Sequence, residues 1–483
     1  MYKPRKLHPI SAIINFMKSL KDAIFPLIIV FLFNGDLFRG DVEWIPLLIW
    51  AGALLLILSF GVIRWLRFRY WVEDGELRIE YGLIFRKKRY IPIDRIQSLN
   101  FSEGIFHRPF QLVKVTVETA GSTGNQQAEA ELTAISRMEA DQLEGLIFDV
   151  KNHGKGTETG EDEAPQQPER TKVFEMRNKD LVLMAVTSGG AGVVLSGVGF
   201  FFSQILDILP VGVIYEEVLN WIKIGVLVVA AAIFVIVLVA YGISILLTML
   251  RYARFTVLLD GEDLVITRGW LEKKQMTIPL NRIQGIRIDE NWIRQPLGYA
   301  SVTLISAGGS IQKEAEQQLR LLPMIKKTEI PHVLKNVLKD YKIDVEYKRL
   351  PARAKIRYMI RSSWFAWAAC IPLSYFFYPY GLLSIFAALG FTGIGWLSYR
   401  DAGWNLSDQQ LSLKSRSFIK QTFIMKKYRI QSTYLNQSVL QRRAHLKSLL
   451  VALKSGAGTV VAPCLYMDQK DAEHILNWYR PYS

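Results

Sequence analysis

The sequence predicts a multi-pass α-helical membrane protein with three repeats, each of two transmembrane helices followed by a small β-rich domain that ends in a helix. Three observations carry that expectation: apolar runs long enough to cross a bilayer, a motif that returns three times, and Lys and Arg clustered where the apolar runs end. Half of the 483 residues are hydrophobic and 21% are charged, which is best explained by apolar blocks alternating with charged ones.

A bilayer-spanning helix needs about 20 mostly apolar residues. Trp44 to Ile63, Leu181 to Leu209, Ile224 to Leu250 and Gly381 to Tyr399 meet that length, and Ser362 to Tyr378 lies at its lower limit. Ala23 to Phe33 is preceded by Lys18, Lys21 and Asp22; it either spans or continues an interfacial helix from Ile10. The segments pair. Basic residues flank each pair, as at Arg64, Arg67 and Arg69 or Arg353, Lys355, Arg357 and Arg361, whereas the connections inside the first two pairs are acidic. By the positive-inside rule, both termini and every β-rich domain face the cytoplasm.

After each pair the chain repeats itself. RFRYWVEDGELRIEYGLIFRKKRYIPIDRIQSL begins at Arg67, RFTVLLDGEDLVITRGWLEKKQMTIPLNRIQGI at Arg254, and RDAGWNLSDQQLSLKSRSFIKQTFIMKKYRIQST at Arg400. Asp74-Gly75 and Asp260-Gly261 are hairpin dipeptides, and Ser407-Asp408 takes their place in the third copy. Alternation at Leu77 and Ile79, Leu264 and Ile266, and Leu411 and Leu413 marks half-buried strands. An amphipathic helix closes each copy; Ser136 and Glu139 have capping-box spacing ahead of the first.

Successive antiparallel strands capped by one C-terminal helix outline a PH-like β-sandwich or barrel. With the helix pairs and the IPxxRIQ motif, the chain resembles the bacterial PH-domain membrane proteins of the YdbS/YdbT type, and among them the longer, three-repeat YdbT-like form. The expected divisions are a transmembrane pair at 10–66, a PH-like domain at 67–150, a solvated linker at 151–172, a second pair at 178–251 and a second domain at 252–340. A basic linker at 341–361, a third pair at 362–399 and a third domain at 400–483 complete the chain.

No catalytic, cofactor or metal set emerges: the six histidines lack metal-ligand spacing, and no phosphate loop or nucleophile elbow is present. Cys370 and Cys464 are too far apart in sequence and context to suggest a disulfide framework. Arg95, Arg282 and Arg429 recur, as do Gln97, Gln284 and Gln431. They form either a ligand or partner surface or, as we favour, a corner where they satisfy backbone groups. Arg86, Lys87, Lys88 and Arg89, with Lys273, Lys274, Lys426 and Lys427, form a basic surface for lipid headgroups or an acidic partner, or else a solvated edge that resists strand pairing. Ser188, Gly192 and Ser196 share one helix face and suit close helix packing.

The functional expectation is a non-enzymatic scaffold at the bacterial cytoplasmic membrane, presenting PH-like domains to proteins or lipid headgroups. Its alternative is a transporter or export factor for lipid or for defence against membrane-active peptides. Membrane lipids and a second copy of the chain are candidate partners, and the resemblance adds a smaller one-unit relative. Nucleic acid is excluded as a partner, because the basic surplus sits beside apolar segments.

Overall fold

A computed structural model describes residues 4–17, 20, 44–82, 85–119, 130–153, 170–188, 226–307, 320–455 and 458–480. Each of the three units lays four strands in one sheet and three in the next. The first unit has β1 (Arg5–Lys6), β2 (Arg69–Glu73), β3 (Glu76–Tyr81) and β4 (Lys87–Pro92), then β5 (Ile96–Glu103), β6 (Leu112–Thr119), β7 (Ala130–Ser136) and the closing helix Arg137–His153. The second has β8 (Thr171–Glu175), β9 (Thr256–Asp260), β10 (Asp263–Arg268) and β11 (Lys273–Pro279), then β12 (Ile283–Glu290), β13 (Tyr299–Ser306), β14 (Arg320–Lys326) and helix Ile330–Val337. The third has β15 (Lys348–Arg349), β16 (Gly403–Ser407), β17 (Gln410–Arg416) and β18 (Lys420–Lys426), then β19 (Ile430–Asn436), β20 (Leu446–Ser455), β21 (Gly458–Asp468) and helix Gln469–Tyr479.

Local chemistry explains the hairpins and caps. Asp74 and Gly75 both have positive φ, which suits the two-residue turn between β2 and β3. In the later copies the turn is Gly261-Glu262 and Asp408-Gln409, one residue beyond the dipeptides singled out from the sequence. Leu77, Leu264, Leu411 and Leu413 are fully buried, as their alternation requires. The Ser136–Glu139 capping box forms, with Glu139 N donating to Ser136 Oγ at 3.2 Å and Ser136 N to Glu139 Oε2 at 3.3 Å. Each closing helix covers its own sandwich with buried residues such as Leu143 and Ile147, Ile330 and Leu334, and Ala472 and Ile475.

Three short strands were not foreseen. β1, β8 and β15 precede the helical segments and pair antiparallel with β2, β9 and β16, the strands that follow them. Thr171 and Lys172, placed in the linker by composition, therefore open β8. The basic stretch at 341–361 is likewise ordered: Lys342 N donates to Gln410 Oε1 at 2.9 Å, and helix Lys355–Phe376 begins within it.

The units are joined through their sheets. β5 of the first unit pairs antiparallel with β11 of the second, and β12 of the second pairs with β18 of the third. Two continuous seven-stranded sheets result, ordered β7-β6-β5-β11-β10-β9-β8 and β14-β13-β12-β18-β17-β16-β15. A four-stranded sheet begins the array and a three-stranded sheet ends it. Across the second junction the cores also meet: Ile424 packs in the core of the second unit and Ile305 in that of the third.

This architecture corrects the expected fold class. The molecule is a PH-like β-sandwich repeat protein, with 21 strands in four sheets among the described residues, and not a multi-pass α-helical membrane protein. Among those residues only Val235–Tyr252 and Tyr380–Asp401 are helices long and apolar enough to cross a membrane, by length and composition. Helix Lys355–Phe376 carries Lys355, Arg357 and Arg361 in its first two turns. The weight of strand was underestimated because a strand enclosed on both faces loses its alternation; β12 buries six consecutive residues. Ala23 to Phe33 and residues 189–209 of the Leu181 to Leu209 run lie outside the described residues.

Candidate functional site

The IPxxRIQ motif forms the corner between the two sheets of each unit. A single 3-10 turn occupies Ile93–Arg95, Leu280–Arg282 and Lys427–Arg429. It is tied in all three copies to the preceding hairpin turn: Ile93 N donates to Gly75 O, Leu280 N to Glu262 O and Lys427 N to Gln409 O. The glutamine comes next. The ladder register shifts between Ile96 and Ser98, Ile283 and Gly285, and Ile430 and Ser432, so Gln97, Gln284 and Gln431 each occupy a β-bulge. Gln284 Nε2 donates to Arg282 O at 3.0 Å, Gln431 is exposed, and the Gln97 side chain lies outside the described set.

The arginine has a role beyond its own unit. Arg429 Nη2 donates to Asn281 O of the preceding unit at 2.7 Å. Arg282 is partly buried; burial pushes its guanidinium down to about 10 against the opposing pull of Glu118, a residue of the first unit, and Asp263. Arg95, in the first unit, is exposed. The recurring arginine thus sits where one unit abuts the next.

The basic residues do not share one surface. Lys87, Lys88 and Arg89 lie on β4, the outer strand of the first sheet, with Arg86 just before it, and Glu80 pairs with both Arg86 and Lys88. Lys273 and Lys274 lie inside the first junction, opposite Glu103 and Ser102. Lys426 and Lys427 stack over Tyr341 and Trp478. The position equivalent to Arg86 and Lys273 is instead Lys420, which lies opposite Glu290 in the second junction. Ser188 Oγ approaches Thr248 Oγ1 of helix Val226–Tyr252 at 3.4 Å, while Gly192 and Ser196 lie outside the described residues.

A second recurrent feature escaped the sequence reading. The segment after β5, β12 and β19, a short helix Val439–Arg443 in the third unit, exposes two consecutive large apolar side chains in every unit: Ile105 and Phe106, Trp292 and Ile293, Val439 and Leu440. Two residues after the first of each pair comes a buried polar side chain that holds the loop in place. His107 Nε2 lies 2.8 Å from Thr133 O, and Gln441 Nε2 donates to Ser448 Oγ at 2.9 Å. Arg294 Nε donates to Thr187 Oγ1 at 2.8 Å, and its Nη2 to Met184 O at 3.3 Å. Burial and the like charge of Arg320 push the Arg294 guanidinium down to about 10.

In the second and third units these segments are held against apolar helices. Met184 lies in the last turn of helix Asn178–Val186 and Thr187 is its C-cap, and Arg357 at the start of Lys355–Phe376 donates to Leu440 O at 3.2 Å. In the first unit the Phe110 ring lies 5.9 Å from His8, just before the helical residues 10–17. The periodicity of the helices could not reveal this, since the exposed pair is short and lies between elements. Comparing the copies position by position is the signal that finds it. Among the described residues, no group of three or more His, Cys, Asp or Glu is placed to hold a metal.

Three sandwiches of this kind, each with a corner turn and a closing helix, define a tandem array of PH-type modules. The chain belongs to the bacterial PH domain family, which matches it three times, over residues 25–151, 211–339 and 363–483. It is 36% identical over 495 aligned positions to the UPF0699 transmembrane protein YdbT of Bacillus subtilis (strain 168), covering 99% of this chain and 98% of the relative. No solved structure matches the chain.

Proposed function

We propose that this chain is a non-enzymatic scaffold associated with the bacterial cytoplasmic membrane, with its PH units on the cytoplasmic side and available to protein partners. The observation that carries this reading is the exposed apolar pair that follows β5, β12 and β19 in each unit, held against an apolar helix in the second and third. An apolar wedge flanked by exposed cations, as at Arg108 and at Arg442 and Arg443, suits the boundary between acyl chains and anionic headgroups. Basic residues at the helix ends support the cytoplasmic side. The name of the Bacillus relative, a transmembrane protein, agrees with a membrane location. The continuous sheets support the scaffold role, because they hold three modules in fixed relation.

The test places an environment-sensitive fluorophore on a single cysteine at Trp292 or Leu440, with Asp408 as the control, in full-length protein reconstituted with doxyl-labelled lipid. Quenching at 292 and 440 but not at 408 is expected. Equal exposure of all three probes to water would overturn the lipid contact.

A further inference from the structure

Among the described residues, two strands that correspond to the strands of the internal junctions lack the partner their counterparts have: β4, the counterpart of β11 and β18, and β19, the counterpart of β5 and β12. We infer that β19 of one copy pairs with β4 of a second copy, antiparallel and in the register that both internal junctions use. The two junctions are the same contact made twice. Glu103 lies opposite Lys273 as Glu290 lies opposite Lys420; Ser102 and Lys274 match Asp289 and Gln421; Phe101 and Gln275 match Ile288 and Thr422. β4 and β19 are the two halves of that contact that the chain leaves unused. Carried to the ends, the register sets Asn436 opposite Lys87 and Tyr434 opposite Arg89.

The chemistry of the edges selects this pairing over its rivals. An unpaired strand offers a row of N–H and C=O groups, and lysines on it repel unwanted strands. β4 carries Lys87, Lys88 and Arg89, with Arg86 just before it, so two β4 strands repel each other. β19 has no lysine, arginine or proline, and exposes Tyr434. Among the described residues it is the edge that both lacks cations and is the counterpart of β5 and β12, the strands that meet β11 and β18 in the internal junctions. Arg95 completes the fit: its equivalent Arg429 donates to Asn281 O across the second junction, and in a second copy the corresponding acceptor is Tyr428 O. Gln437 stands where the internal junctions have Glu103 and Glu290, so this contact lacks the carboxylate that pairs with Lys420 across the second junction and is weaker and reversible. Because the two surfaces differ, the contact is head-to-tail, giving a closed ring or an open chain of copies.

The experiment uses full-length protein in detergent, with Cys370→Ala and Cys464→Ala as background. Lys87→Cys and Asn436→Cys are introduced into separate chains and mildly oxidised alone and mixed. Asp289 and Gln421, at the equivalent internal position, are directly opposite ladder partners, so two thiols there fall within disulfide reach. A disulfide-linked dimer on mixing only, lost when Tyr434→Lys is added to the Asn436→Cys chain, is the expected result. No dimer on mixing, equal dimer from either chain alone, or equal dimer from an out-of-register Tyr90→Cys would overturn it. So would cross-linking in native membranes to a different protein instead of a second copy. No bilayer is needed, so failure here leaves the lipid contact proposed above untouched, and the converse holds.

Discussion

Lys420 on β18 reaches Glu290 on β12 at 3.3 Å and lies 4.0 Å from Asp401, the last residue of helix Leu383–Asp401. All three side chains are at least nine-tenths buried. One ammonium thus ties the second unit, the third unit and the end of an apolar helix together. Arg416 pairs with Asp401 at 2.6 Å, and Lys327 with Glu290 at 3.4 Å, extending the network on both sides.

Replacing Lys420 with Met removes the bridging charge and leaves two buried carboxylates with fewer partners. Breaking a buried pair from one side costs about 3–5 kcal/mol. Thermal unfolding of the purified protein should show that loss, and hydrogen exchange should show β12 and β18 opening first. A change no larger than that of an exposed substitution such as Lys470→Met would contradict the bridging role.

Lys414 borders the same network. Burial, with the nearby charges of Lys420 and Lys327, pushes its ammonium down to about 8 from an ordinary 10.5. Between those values the unfolded chain holds the proton that the folded chain has released, so stability rises as pH increases from about 8 to 10.5. Below pH 8 both states are protonated and the slope vanishes. Lys414→Met should flatten the rise; an unchanged pH profile in that variant would assign the slope elsewhere.

Gly395 brings helix Leu383–Asp401 against Lys355–Phe376 at backbone distance. A Cβ there would meet Met359 Cα at 2.7 Å and Tyr358 O at 2.8 Å. Gly395→Val should force the helices apart and lower the unfolding temperature by several degrees, a cost of about 1–3 kcal/mol for overpacking. Gly393→Val, where nothing lies within 4 Å, is the control and should unfold like the parent protein.

Much of the unit was legible because its determinants are local. The capping box at Ser136, the alternation at Leu77 and Ile79, and the stripe of each closing helix depend on neighbours a few residues away. The corner built by IPxxRIQ could be named as a recurring motif, though not as a bulge. The strands β1, β8 and β15 were not legible: they are short, carry no clear alternation, and exist only because a strand distant in sequence accepts them. The junctions were hidden for a related reason. Nothing in Lys273 or Glu103 alone says that they face each other across 170 residues, and the roles of Arg282 and Arg429 follow only once that pairing is known.

The shared sheets also impose an order on synthesis. When the first sandwich has emerged from the ribosome, the outer edge of β5 is still bare, because its partner β11 lies far downstream. Ser102 waits for Glu272, 170 residues later, which at ~5–20 residues per second is roughly ten to thirty seconds. Through that interval the nascent chain carries an open edge that only its own next module can close, and the same wait recurs between β12 and β18. The first and second modules are therefore each finished by the one translated after it.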